Sequence, residues 1–358
     1  MVAGMFRTAN GIGRAALSCY RALCAEGLDP IAVDLSGLFN QVDVASPVPL
    51  QEMPVNNNGT LVLYANAPET ERALMGLGLR RWHKWRIIGA WAWELATTPA
   101  DWARQTCYLS EIWAPSRFVQ QTFESQFALP VRTVPHYLPV HAHANAWPTP
   151  ASRGDTTLRV LTIADGRSSF HRKNLLATMQ MFSKAFPNNE PVHLTVKCRN
   201  LSLYKYYESA VMAYANKDPR IDVIDRSFSE EEQTHLLWNS DIVVSSHRAE
   251  GFGMHLAEAM AAGRATMATG WSGNLEFMTA QNSTLLPYVL KLVDDPSGIY
   301  KSMPDARWAD VNIDAGSLAL RELYDSPRKR HVLATTARRD VSASLRSRTY
   351  SEALGILA

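Results

Sequence analysis

The sequence predicts an α/β protein of two doubly wound, Rossmann-like domains, and three observations carry that prediction. At 358 residues the chain is longer than a single hydrophobic core comfortably serves. Short runs rich in Val, Ile and Leu alternate with segments of helical periodicity, the signature of buried parallel strands and crossover helices. Midway, His141 to Thr156 loses all periodicity and carries Pro148, Pro150 and Gly154, which marks an interdomain linker. The predicted domains are therefore 1–145 and 156–330, followed by a helical segment at 331–358. Hydrophobic residues at 46% and charged residues at 20% exclude a disordered or fibrous chain. Lys plus Arg at 36 against Asp plus Glu at 34 leaves a net charge of +2, too little excess to make nucleic acid an expected partner.

The elements follow in order. MVAG is a short strand leading into a loop, and Arg14 to Cys24 places Leu17, Tyr20 and Cys24 at helical spacing before Gly27 stops the helix. PIAVDL, TLVLYAN, WRIIGAWAW, EIWAPS and VRTVPHY are the further strands of the first half. In the second half TLRVLTIAD is a strand, and Asn174 to Phe186 sets Leu175, Met179, Phe182 and Phe186 on one helical face. PVHLTVK, IDVID, DIVVSSH and RATMATG are strands. SLYKYYESAVMAYA is a helix, and Ser229 with Glu232 has the spacing of a capping box.

Cys19, Cys24, Cys107 and Cys198 show no CxxC spacing and read as reduced core residues rather than a zinc site or disulfide frame. The N-terminus lacks a basic head followed by an apolar run, and no stretch reaches the roughly 18 apolar residues of a membrane helix. A cytoplasmic protein is expected. The basic residues of Ser326 to Ala358 leave peripheral attachment to the inner face of the cytoplasmic membrane open.

Ser245 to Phe277 holds the densest chemical signal. A strand ends at Ser245 or Ser246, a loop holds Glu250, Gly251 and Gly253, and a helix runs from near Met254 to Ala262. Glycines there let the backbone approach a ligand, and the helix start offers N–H groups to an anion or to sugar hydroxyls. Glu250 and Glu258 thus stand near one helix N-terminus, where they could grip the hydroxyls of a donor sugar and of a ribose. The plainer alternative makes both solvated surface acids. Against it, Leu256, Ala257, Met260 and Ala261 make the helix apolar, so an acid within it needs a partner. His255 reads as a surface residue with no role.

In DGRSSFHRKN, Arg172 and Lys173 fall at an expected helix start, the unfavourable end for cations. A bound nucleoside diphosphate would remove that conflict, and the pair would also meet the charge growing on the leaving diphosphate. The alternative is that they solubilise the helix. Arg167 is a weaker candidate. Near the N-terminus, Gly11 and Gly13 are permissive positions for close approach to a donor diphosphate. A nicotinamide dinucleotide site is the rival there, with Ala16 at the third glycine position and Asp34 as ribose carboxylate. It explains neither the acidic pair nor the RKN segment.

EGFGMHLAEAM resembles the E-x7-E signature of the family 4 glycosyltransferases, retaining enzymes of the GT-B fold. ANGIGRAA, WAWEL, EIWAPSRFV, VPH, RKN and WSGNLEF add to the resemblance, which covers nearly the whole chain and is closest to the bacterial polysaccharide, mannosyltransferase-like branch. It implies two Rossmann-like domains facing a central cleft, with the C-terminal helix crossing back onto the first. It further implies that Glu250 contacts the transferred sugar and Glu258 the nucleotide ribose. Gly251, Phe252, Gly253 and Met254 would line the sugar and diphosphate site with Asn274, and Lys173 with Arg172 would hold the diphosphate. Trp93 and Glu94 stand where many relatives carry a sugar-contacting histidine, so a stacking or hydroxyl-binding role competes with packing, and His136 is a further sugar or acceptor candidate.

The histidines form no metal-ligand pattern, and no paired acids stand at a strand end, so neither a metal nor another cofactor is expected beyond the donor. The expected function is transfer of a hexose, mannose from GDP-mannose, to a glycan or lipid-linked glycan acceptor in surface polysaccharide or lipopolysaccharide synthesis. Two alternatives stand beside it: a UDP-hexose-dependent transferase of the same fold, and a non-catalytic assembly protein.

Overall fold

The structure, a computed structural model, describes residues 1–52, 58–78, 84–139 and 156–356. Of the expected linker, His141 to Thr156, residues 141–155 lie outside the described residues. Two compact units are present, one of Met1–Pro139 with Leu345–Ala358 and one of Val140–Ser344.

The first unit is built on a parallel sheet of β1 (Val2–Gly4), β2 (Ala32–Asp34), β3 (Gly59–Tyr64), β4 (Trp85–Ala90), β5 (Glu111–Ala114) and β6 (Val131–Thr133), in the order β2-β1-β3-β4-β5-β6. Helix α1 (Gly11–Ala25) starts where the Asn10 side chain accepts the Gly13 N–H at 2.8 Å. It ends in a Schellman motif, with Gly27 at φ +78° and the Leu28 N–H donating to Leu23 O at 3.1 Å. A Cβ on Gly4 would lie 2.6 Å from that of Ala16, so both small residues serve the packing of α1 on β1. Helices α2 (Ala67–Gly76) and α3 (Arg117–Glu124) also belong to this stretch of the unit.

The second unit has β7 (Leu158–Asp165), β8 (Val192–Arg199), β9 (Ile221–Asp225), β10 (Ile242–Ser245), β11 (Ala265–Thr269) and β12 (Thr284–Leu286), all parallel, in the order β12-β11-β10-β7-β8-β9. This is the Rossmann order, and its direction reverses between β7 and β10, where ligands of such sheets bind beyond the carboxyl ends of the strands. Helices α4 (Leu175–Ala185), α5 (Lys205–Ala215), α6 (Glu230–Trp238), α7 (Met254–Ala261), α8 (Ile313–Asp325) and α9 (Pro327–Ser344) accompany it, with an antiparallel pair of β13 (Tyr288–Leu292) and β14 (Arg307–Val311). The α4 residues Leu175, Met179 and Phe182 and the adjoining Phe186 pack into a core with Val160, Leu194 and Val196 of the sheet. Both bonds of the Ser229–Glu232 capping box are made.

The basic C-terminal stretch divides between the units. Helix α9 packs on α7 and β11 of the second unit, and only α10 (Arg348–Leu354) joins the first. There Tyr350 is fully buried beside Trp113, and Leu138 N–H donates to Leu345 O at 3.1 Å. The segment expected to pack back as a whole from 331 therefore does so only from Leu345, because Leu333, Ala337 and Val341 bury their side chains within the second unit. All four cysteines are free, and Cys24 and Cys107 are exposed rather than in the core. Among the described residues no helix is long and apolar enough to cross a membrane.

Candidate active site

The loops that follow β7 and β10 are laced together at the point where the second sheet reverses direction. After β7, Asp165 accepts from Arg199 Nε at 3.0 Å, Asn200 Nδ2 at 2.8 Å and the Arg167 N–H at 3.1 Å, which fixes the exit from the strand. The chain then makes a four-residue helical turn, Phe170–Lys173, anchored by Phe170 stacked on Tyr207 at 5.0 Å. Asn174, at φ +55°, separates this turn from α4. Arg172 and Lys173 thus close one short helical turn, with the Asn174 N-cap between them and α4, rather than lie within the first turn of the long helix. Arg167 is exposed.

After β10, the Arg248 N–H donates to Arg172 O at 2.7 Å and its guanidinium to His171 O at 2.7 Å, while Ser246 Oγ donates to Asn174 O at 2.6 Å. These bonds bring Glu250 onto the two cations. Lys173 Nζ lies 2.5 Å from Glu250 Oε1, and Arg172 Nη1 lies 3.4 Å from Oε2. Arg172 is 2% exposed and Glu250 5%, whereas the Lys173 side chain is 13% exposed. Burial pushes the Glu250 carboxyl up, but Lys173 and then Arg172 more than reverse this and hold it well below the usual carboxylate range. The acid is a buried, ionised carboxylate.

The Glu250 backbone is held as firmly. Its N–H donates to Ser272 Oγ at 2.8 Å, and its carbonyl accepts the Gly273 N–H at 2.8 Å. A Cβ on Gly273 would sit 2.0 Å from Gly251 O, so only glycine permits this approach of the two loops. Ser272 itself stands at φ +80°.

Beneath the acid lies a residue that the sequence did not single out. His247 is fully buried, with Nε2 3.2 Å from Trp271 O and 3.1 Å from Asn274 Oδ1, and Nδ1 3.0 Å from Ser245 Oγ. Asn274 donates through Nδ2 to Thr269 O at 3.1 Å, which turns its oxygen toward the histidine. Two acceptors facing Nε2 place a proton there, and in the neutral ring that burial favours Nδ1 accepts from Ser245. Burial lowers its pKa, in keeping with that state. Asn274, expected at the donor, is completely buried and spends its amide on this bracing. A buried histidine three residues before an acid carries no motif, so the signal for His247 was only the strand end it follows.

Helix α7 begins after Gly253, which is left-handed at φ +87° and so requires glycine. Gly251 and Met254 line this bend, while the Phe252 ring is buried on Phe277 at 4.9 Å and serves packing. Glu258 stands half-buried on the second turn of α7. His255 is buried rather than on the surface, close enough to Glu250 to influence it electrostatically.

Candidates in the first unit fall differently. Gly11 is open to solvent, and a Cβ there would meet nothing within 4 Å. Gly13 is packed, since a Cβ would lie 2.4 Å from Met5 O and from Thr8 Oγ1. Strand β4 ends at Ala90, so Trp91 and Trp93 lie beyond it and strand alternation does not govern them. Both are buried: Trp91 meets Trp102, Phe123 and Phe127 edge-on, and Trp93 lies 4.8 Å from Trp102 with its indole N–H on Thr97 O at 2.6 Å. Trp93 is thus a packing residue, and Glu94 stands half-buried beside it. His136 is buried, and burial with the Arg14 charge lowers its pKa to about 4. Asp34, the ribose acid of the dinucleotide rival, spends its oxygens on the Phe6 N–H, Arg7 Nε and Ser36.

Comparison with known proteins places this architecture. A profile of the family described as glycosyl transferases group 1 matches residues 161–300, within the second unit. A glycosyltransferase from Rickettsia africae superposes with a TM-score of 0.70 at 14% identity, over 99% of this chain and 96% of that one. The fold is GT-B. Other GT-B structures that match include HepE from Anabaena in complex with UDP and glucose, with a TM-score of 0.68 at 11% identity over 99% and 97% of the two chains. TarM from S. aureus, in complex with fondaparinux, alpha-GlcNAc-glycerol and UDP, matches with a TM-score of 0.59 at 11% identity. That match covers 82% of this chain and 54% of TarM, so this chain spans about half the length of that relative. No curated protein sequence matches the chain. These GT-B neighbours correct the finer part of the sequence resemblance. The mannosyltransferase-like branch and the GDP-mannose donor give way to structures whose bound nucleotide is UDP or UDP-glucose.

Proposed function

We propose that the chain is a UDP-sugar-dependent glycosyltransferase that moves a glucose- or N-acetylglucosamine-type sugar to a glycan acceptor, with retention at the anomeric carbon. The observation that carries this reading is the buried cluster of Arg172, Lys173 and Glu250 at the reversal point of the second sheet. In this scheme Lys173 and Arg172 bind the donor diphosphate and meet the negative charge that accumulates as the sugar–oxygen bond breaks. Glu250 accepts from sugar hydroxyls and stabilises the positive charge developing on the ring. Glu258, just over one helical turn along α7, takes the ribose. The departing diphosphate removes the acceptor proton as the acceptor oxygen enters on the face that the diphosphate leaves.

Matches to a UDP-glucose complex of HepE and to TarM with UDP support the uridine donor. WaaG, described as involved in lipopolysaccharide biosynthesis, matches over the full length of both chains with a TM-score of 0.67 and supports a surface-glycan acceptor. A non-catalytic assembly protein would have no need to bury two cations against an acid, since such a cluster is often replaceable by apolar residues at no loss of stability. Four free cysteines agree with a reducing cytoplasmic setting, with or without a peripheral membrane contact.

The scheme assigns the countercharge to side chains and needs no metal. The test is a panel of UDP-glucose, UDP-galactose and UDP-N-acetylglucosamine offered to the purified chain with mixed glycan acceptors, the product's anomeric configuration read by NMR. Turnover of at least one donor with retention, undiminished by chelator, is expected. Binding of none of them would overturn the reading, and recovery only with Mg²⁺ or Mn²⁺ would overturn the metal-free scheme.

A further inference from the structure

We propose that Glu250 is also the residue that makes the site selective for a diphosphate, by occupying the cations that the donor must claim. The inference rests on the donor reading above and adds a step to it: the donor's diphosphate displaces the Glu250 carboxylate from Lys173, and the displaced carboxylate turns to the sugar.

The geometry of the cluster motivates this. One carboxylate spans two cations, with Oε1 on Lys173 at 2.5 Å and Oε2 toward Arg172 at 3.4 Å. Two neighbouring oxygens bridging two cations is also what a diphosphate offers, so the acid fills the place that the scheme assigns to the ligand. The two cations are not equally movable. Arg172 is pinned from behind, its Nη1 donating to Ala249 O at 2.7 Å and its Nε to Ser168 O at 3.1 Å. Lys173 has a flexible stem, and its side chain is the more exposed of the two. Arg172 therefore stays in place as a fixed charge, and Lys173 is the cation that changes partners.

The exchange has a physical cost that explains the selectivity. Separating a buried ion pair without replacing it leaves charge uncompensated in a poorly solvated place. A diphosphate compensates both cations and releases the acid to accept from hydroxyl groups. A monophosphate brings less charge and cannot bridge both positions as well, so it competes poorly with a carboxylate already in place. Sugar engagement and diphosphate engagement thereby become coupled, because the carboxylate reaches the sugar only after the phosphates have arrived.

The experiment measures binding of UDP and of uridine monophosphate to the wild-type chain, Glu250→Gln and Glu250→Asp by calorimetry. Without the competing carboxylate, or with one too short to span the gap, UDP should bind about tenfold more tightly than to wild type, equivalent to roughly 1.4 kcal/mol. The preference for UDP over the monophosphate should shrink, although Glu250→Gln turns over less. Unchanged or weaker UDP binding in both variants would overturn the proposal. Should neither variant fold, a structure of the wild-type chain with UDP decides it: the Lys173 Nζ to Glu250 separation should exceed about 4 Å, the limit of an ion pair, and an intact pair beside bound UDP would overturn it. Failure of the donor reading looks different. If UDP does not bind but inorganic pyrophosphate does, and separates the pair, the donor assignment falls and the exchange stands. If neither anion binds, both fall.

Discussion

The two sheets reverse direction in the same way, yet the loops at their reversal points treat charge oppositely. In the first unit the reversal lies between β1 and β3, and the loop after β1 is closed by Asp34, which gathers the Phe6 N–H, Arg7 Nε and Ser36. Arg7 keeps a side chain 39% exposed, so this pair remains in touch with water, and both Asp34 oxygens accept from the protein itself. In the second unit the loops after β7 and β10 bury an acid against two cations. An exposed pair contributes about 0–1 kcal/mol, while a buried one must overcome a desolvation penalty of several kcal/mol per ion. One loop uses charge to close itself, and the other holds charge that a ligand could take over. Topology alone marks both places, and burial distinguishes them.

The comparison breaks most sharply at Lys173. Lys173→Ala should lower kcat with saturating UDP-sugar by about 10²–10³-fold, the range for losing one donor to developing negative charge. Asp34→Ala should leave kcat near wild type while reducing unfolding free energy by about 1–3 kcal/mol, since two backbone N–H groups lose their acceptor. Steady-state rates and denaturant unfolding of both variants check this, and equal kinetic losses would erase the distinction between the loops. Next in size is Gly273→Ala, whose Cβ would meet Gly251 O. Shifting backbone there should destabilise by about 1–3 kcal/mol and disproportionately reduce turnover.

Glu258→Gln should weaken UDP binding by about 1–3 kcal/mol, the range for a hydrogen bond to a charged group, with kcat less affected. Calorimetry against UDP reads this directly, and wild-type affinity would remove Glu258 from the ribose. Acid should separate the units by pH. His136 has a folded pKa of about 4, below its unfolded value of about 6.5, so burial keeps it neutral. Its contribution is complete above the unfolded value and declines as pH falls toward 4. Glu250 is depressed in the folded state, so its contribution persists until pH drops below the ordinary carboxylate value of about 4.3. His136→Gln should flatten stability between roughly pH 6.5 and 4, and Glu250→Gln only below that window. The smallest effect is Gly11→Ala at the exposed start of α1, expected to stabilise by a few tenths to about 1 kcal/mol, since nothing occupies the Cβ position.

By itself the sequence determined the strand and helix pattern, because period and capping are local. Leu175, Met179, Phe182 and Phe186 share a face, and Ser229 with Glu232 starts a helix, whatever lies elsewhere in the chain. It also marked Glu250, Lys173 and Arg172 as separate candidates, since glycines before a helix and paired cations after a strand are short-range signals. Only the tertiary structure decided that these three meet, because 77 positions separate Lys173 from Glu250 and their contact depends on β7 and β10 being neighbours. The same holds where the sequence misled. Trp93 looked available for a sugar until Trp102 and the early end of β4 put it into the core, and Asn274 looked like a donor contact until His247 claimed its oxygen. Whether a polar or aromatic side chain faces a ligand or its own protein depends on which distant elements have already taken its partners, and neighbouring residues carry no record of that.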